Sequence, residues 1–132
     1  MNIDYLRDLT TISVIIRLTM ATLFGGIIGL ERGMKNRAAG FKTHILVCIG
    51  STLAMLTNQY IIAYMNSSAD PSRLGAQVIS GIGFLGAGTI LVTGKQQIKG
   101  LTTAAGLWAS ACMGLAIGVG FYEGAIIGCT FI

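Results

Sequence analysis

The stretch that decides the architecture is Arg73–Ala111, RLGAQVISGIGFLGAGTILVTGKQQIKGLTTAAGLWASA. From Leu74 to Val92 it carries no charged side chain. A short polar loop then brings Lys95 and Lys99, and a second charge-free run opens at Ala104. As an α-helix the first run would rise ~28 Å, close to the thickness of a bilayer's hydrocarbon core. Two such runs around a polar loop predict a membrane hairpin. Gly81, Gly83, Gly86 and Gly88 predict helix–helix contact, because a missing Cβ lets a neighbouring backbone come close.

The rest of the chain has the same character. Only 11% of its 132 residues are charged, against about 25% in soluble domains, so lipid is the expected solvent. The expected fold is all-α, a membrane bundle of four to five helices forming one domain over residues 1–132. The net charge of +4 comes from basic residues in short loops rather than on one continuous face, which argues against nucleic acid as a partner. Cys48, Cys112 and Cys129 all lie in apolar runs and read as packing residues. Asp4, Arg7 and Asp8 near the start, with no small-residue cleavage site, argue against a removable signal peptide.

Taken in order, residues 5–12 suit a short interfacial helix with Tyr5, Leu6, Leu9 and Ile12 on one face. Span 1 is expected at 13–30 and contains Arg17. A buried arginine is costly, so this side chain either snorkels to the near surface or meets Gln77 or Glu123 across a helix interface. Gly25, Gly29 and Gly33 form a packing stripe. Span 2 is expected at 44–65 with Thr43 as its N-cap, and Asn58 and Gln59 within it are expected to face other helices. Asp70-Pro71 marks a turn. Span 3 covers 74–92 and span 4 covers 104–119, capped by Thr102 or Thr103, with a second stripe at Gly106, Ser110, Gly114 and Gly118. A fifth apolar run from residue 121 is too short to cross, so it is cut off or re-entrant.

Orientation follows from charge. Arg32, Lys35, Arg37, Lys42, Lys95 and Lys99 flank one side, and only Arg7 and Arg73 the other. Basic loops 31–42 and 94–103 are therefore expected in the cytoplasm and the N-terminus outside. A shift of 60 residues pairs Gly26 with Gly86, Lys35 with Lys95, Gly40 with Gly100 and Thr43 with Thr103, an echo that two related hairpins would produce.

Gly81-Ile-Gly83-Phe-Leu-Gly86 fits the G-x-G-x-x-G spacing of a dinucleotide loop. That fingerprint needs a preceding strand and an acid about 20 residues on, and here it lies in a lipid-length run with Glu123 as the next acid. Close packing, or a locally broken helix, accounts for it better. His44, the single histidine, is expected at a membrane boundary. No constellation suggests an enzyme, a metal site or a cofactor. The strongest candidate site is the end of the bundle where Glu31-Arg32, Lys42-Thr43-His44 and Lys99–Thr103 would converge with the N-termini of spans 2 and 4. Six basic side chains and two positive dipole ends there suit a lipid headgroup, an anionic solute or an acidic partner.

Four segments carry a resemblance: Gly-Leu-Glu31-Arg32, Ala39-Gly-Phe-Lys42-Thr43-His44, Gln77–Gly88 and Gly100-Leu-Thr102-Thr103 through Trp108. Together, in this order, they resemble the MgtC/SapB family from about Arg17 to Phe121. Lys42 stands where that family usually has arginine, which keeps the charge and loses the bidentate fork. The resemblance implies a bacterial inner-membrane protein of about five spans, associated with low-magnesium adaptation, acid tolerance and, in pathogens, virulence. Many members add a cytoplasmic C-terminal domain resembling ACT modules, which is not expected here. The founding member resembles a regulator acting on the F-type ATP synthase. The expected role is therefore a homodimeric membrane regulator rather than an enzyme, with a small transporter or channel subunit as the alternative. The candidate functional residues are Arg17, Glu31, Arg32, Lys42, Thr43, Arg73, Gln77, Thr102 and Thr103.

Overall fold

The computed structural model describes residues 7–65, 68–92 and 98–132. Among them are five helices: α1 (Thr11–Met34), α2 (Phe41–Tyr64), α3 (Arg73–Gly88), α4 (Leu101–Val119) and α5 (Tyr122–Phe131). A two-stranded ribbon, β1 (Leu91–Val92) and β2 (Ile98–Lys99), joins α3 to α4. The all-α bundle expected from the sequence is what forms. Helices α1, α2 and α4 are long and apolar enough to cross a membrane. Large apolar side chains such as Ile15, Leu23, Leu46, Leu53, Phe84 and Trp108 point outward, which in lipid costs nothing.

The boundaries follow local chemistry. Thr10 caps α1, its Oγ1 accepting the Ser13 N–H at 3.2 Å. The helix closes on Asn36, in the left-handed region at φ 50°. There the Asn36 N–H donates to the Gly33 carbonyl and the Arg37 N–H to that of Arg32, the paired bonds of a Schellman stop. Span 1 thus runs further at both ends than expected, and its charged last turn belongs to the helix. Of the interfacial helix expected at 5–12, residues 5 and 6 lie outside the described residues, Asp8–Thr10 are not helical, and Thr11 and Ile12 already belong to α1.

Two expected caps are replaced by glycine. Gly40, not Thr43, stands at the N-cap of α2, and Gly100, not Thr102 or Thr103, at that of α4. Gly100 adopts φ 97°, and a Cβ there would collide with the Thr89 carbonyl, so only glycine turns the ribbon into the helix. The third span also ends early. Expected to reach Val92, α3 stops at Gly88 after 16 residues. The Thr89 hydroxyl and N–H both return to the Gly86 carbonyl, and two residues later Leu91–Val92 enter the ribbon. Lys95 lies outside the described residues.

Helix α2 is the axis of the bundle, clasped by α1 on one side and α4 on the other. Both clasps run through glycines. A Cβ on Gly25 would lie 2.8 Å from the His44 carbonyl, and one on Gly29 would lie 2.6 Å from the Phe41 Cα. Gly114 meets the Cys48 carbonyl, and a Cβ on Gly118 would lie 2.6 Å from the Met55 Cβ. Where lipid removes any hydrophobic drive, contact this close supplies the dispersion energy of association. The Thr52 hydroxyl adds a polar tie, 2.9 Å from both the Cys48 and Gly114 carbonyls. Helix α3 rests on α4, with Gly86 against Ala104, while space around Gly81, Gly83 and Gly88 stays open within the chain.

Candidate functional site

Two polar centres are buried in this bundle, one toward each end. The first surrounds Arg17, which has no accessible surface. Its Nε donates to the Tyr122 hydroxyl at 3.0 Å, and Nη1 donates to Gln59 Oε1 at 2.8 Å and the Gly118 carbonyl at 2.7 Å. Nη2 donates to the Arg7 carbonyl at 2.7 Å. All three guanidinium nitrogens are therefore occupied, and α1, α2, α4, α5 and the segment before α1 are pinned to one side chain. Arg17 neither snorkels nor reaches Gln77 or Glu123. Glu123 instead pairs with Arg7 at 2.7 Å on the surface.

The second centre is the expected mouth. Arg32 in the last turn of α1, His44 in the first turns of α2, and Gly106 and Ser110 of α4 meet there. His44 is fully buried rather than interfacial, with Nδ1 2.8 Å from the Ser110 Oγ. A Cβ on Gly106 would lie 3.4 Å from the His44 Cε1 and 3.7 Å from the Arg32 Nε, so the glycine makes room for both groups. Among the described residues, the His44 Nε2 and the Arg32 Nε are buried without a hydrogen-bond partner. The Ala39 carbonyl approaches the imidazole without completing a bond. Glu31 lies 3.8 Å from the Arg32 Nε, too far for a hydrogen bond, and is held at 2.5 Å by Lys35. A buried polar atom whose partner is removed costs about 1–3 kcal/mol, which sets the scale for any group that meets these two nitrogens.

The other candidates divide between the ends. Lys42 and Thr43 are exposed beside the mouth, Thr102 is exposed, and Thr103 is buried at the start of α4. Arg73 and Gln77 lie exposed on the first turns of α3, near the Arg17 end, because the Asn58 Nδ2 donates to the Pro71 carbonyl and ties that loop to the far end of α2. The sequence reading missed Gln59 and Tyr122 as partners of Arg17, and Ser110 as the partner of His44. The polar pair Asn58-Gln59 inside an apolar run was the available signal for the first.

Residues 18–132 match the profile of the MgtC family. The chain is 46% identical over 122 residues to YhiD of Escherichia coli (strain K12), provisionally named a magnesium transporter, covering 89% of this chain and 56% of that protein. It is 42% identical over 123 residues to SapB of Bacillus subtilis (strain 168), covering 90% of this chain and 53% of SapB. To MgtC of Brucella abortus (strain 2308) it is 40% identical over 115 residues, covering 87% of this chain and 46% of MgtC. The chain thus spans about half the length of the curated relatives it matches. No solved structure matches it.

Proposed function

The chain belongs to the MgtC family of multi-pass membrane proteins, and from that premise we propose that it works as a regulator in the bacterial inner membrane rather than as an enzyme. It serves adaptation to low magnesium or acid stress, and virulence where the bacterium is a pathogen. The basic mouth faces the cytoplasm and the N-terminus faces outward. The chain acts as a homodimer, and its partner is another membrane protein such as the F-type ATP synthase.

The observation behind this reading is the contrast between a bundle locked by backbone contacts and a mouth left with unmet polar atoms. Groups kept unsatisfied inside a tightly packed protein are typical of working sites, where stability is given up for function. The interlocked core suits a protein that presents one end to a partner.

The test combines two measurements. Inverted vesicles carrying the ATP synthase report ATP-driven proton pumping with and without the chain, and proteoliposomes report magnesium flux. The expected outcome is altered pumping with no flux, and loss of the effect in Arg32→Gln and His44→Leu proteins that remain folded. A second reading, a small transporter or channel subunit, draws on the exposed Gln77, Ser80 and Gly83 of α3, which could line a path between copies. Gradient-dependent flux abolished by Glu31→Ala or Gln77→Ala would establish that reading instead.

A further inference from the structure

Between α2 and α3 lies an open groove of about 580 Å³. Its walls are apolar, with Leu46 and Val47 from α2 facing Val78, Ile82 and Leu85 from α3. Gly50 of α2 and Gly81 of α3 both line it, and a Cβ on either would meet nothing within 4 Å. The groove therefore exists because two side chains are missing at positions where the fold has room for them.

One end of this groove is chemically different. Lys42 and Thr43 border it, both exposed. They belong to the first turn of α2, whose N-cap Gly40 provides no side-chain bond. The first intrahelical acceptance there is the His44 N–H to the Gly40 carbonyl at 3.2 Å, so the N–H groups of Phe41, Lys42 and Thr43 precede any helical acceptor. A lysine beside exposed helix N–H groups favours an anionic oxygen. The nearby carboxylate of Glu31 is taken up by Lys35.

We propose that the groove holds an acidic phospholipid, its phosphate at Lys42 and the start of α2 and one acyl chain lying along Leu46, Ile82 and Leu85. Charge complementarity selects this occupant. An apolar slot with a cation and a positive dipole at one end matches an amphiphile with a negative head, and in the orientation proposed above that end would lie where the acidic lipids of the inner leaflet concentrate. The groove also has the size of a ligand site, within the ~300–1,000 Å³ common for small molecules. The lipid site stands whether the protein regulates or transports.

The test uses the full chain in phosphatidylcholine nanodiscs doped with phosphatidylglycerol, with bound lipid read by native mass spectrometry after release. The expected result is a retained phosphatidylglycerol, favoured over phosphatidylcholine by roughly fivefold, which corresponds to the ~1 kcal/mol of one lysine at an anionic surface. Lys42→Gln should erase that preference and leave lipid binding. Gly81→Leu should remove the retained lipid while the helical circular dichroism persists, because open space surrounds the site. Arg73→Gln, at the opposite end of the bundle, should change neither. Equal retention of both lipids by the unaltered chain would overturn the proposal, as would a phosphatidylglycerol preference that survives Lys42→Gln. So would a Gly81→Leu protein that keeps its lipid but turns from dimer to monomer, since that would make a second copy the occupant. No regulation or flux assay enters the measurement, so its failure is separable from failure of the functional reading.

Discussion

Arg17 and His44 are both sealed from solvent inside the same bundle, yet their surroundings obey opposite rules. Every guanidinium nitrogen of Arg17 donates to an acceptor, and those acceptors come from four parts of the chain. His44 satisfies one nitrogen on Ser110 and leaves the other unmet, beside an Arg32 Nε in the same condition. A polar group buried with all partners in place fixes a structure. One buried without them costs stability and waits for something else. The comparison sets an Arg17 end that holds the fold against a His44 end on which the proposed role would draw.

The hardest test removes the saturated centre. Arg17→Met deletes the cation and strands the Gln59 amide, the Tyr122 hydroxyl and two backbone carbonyls. Losing one partner of a buried charged network costs about 3–5 kcal/mol. Unfolding of the detergent-solubilised protein by a graded denaturing detergent should show that loss. Arg17→Lys should recover only part of it, because an ammonium cannot reproduce the planar fork. A neutral Arg17→Met would dissolve the distinction drawn above.

Glycines test the next rung. Gly118→Ala drives a methyl into the Met55 Cβ and the Thr52 backbone and should cost about 2 kcal/mol or more, since backbone cannot step aside cheaply. Gly83→Ala, with nothing within 4 Å, should be neutral or stabilise by up to about 1 kcal/mol through helix propensity. Both residues stood in the sequence as packing glycines of the same kind. The stripe at Gly106, Gly114 and Gly118 was legible from its four-residue period, as was that at Gly25 and Gly29. Which stripes would find a partner within the chain was not, because that depends on how each helix is rotated about its own axis. The same limit hid the partners of Arg17. Gln59 and Tyr122 sit 42 and 105 residues away from it in sequence, and only the register between helices brings them together. The early end of α3 was hidden for a local reason, since a charge-free run says nothing about a hydroxyl at Thr89 turning back on Gly86.

At the mouth the expected sign reverses. His44→Leu gives up one hydrogen bond with Ser110 but also removes a buried nitrogen that nothing satisfies. These effects are of similar size, so stability should change by less than about 1 kcal/mol. Effect on the partner should nonetheless be lost, as should that of Arg32→Gln. Co-measurement of unfolding and proton pumping on the same preparations checks this. A mouth variant as destabilised as Arg17→Met would make both centres structural.

The smallest effect concerns the turn before α3, at the saturated end. The Asp70 carboxylate accepts from the Ser72 N–H at 2.8 Å and from its hydroxyl at 2.6 Å. The Ser72 hydroxyl, then its N–H, hold the Asp70 carboxyl below its ordinary value of 3.8, with Arg73 helping. Because the folded pKa is the lower one, the stabilising contribution is complete above about pH 4 and fades as pH falls through the folded value. The side chain is fully exposed, so the contribution is small. An Asp70→Asn protein should therefore lose slightly less stability than the unaltered chain on acidification below pH 4, and the two should behave alike in their pH response near neutrality. Matching acid titrations of the unfolding midpoint measure that gap. Should Asp70→Asn instead change the acid response of the mouth-dependent pumping effect, the two ends would be coupled through α3, and the division between a structural and a working end would have to be replaced by a single linked system.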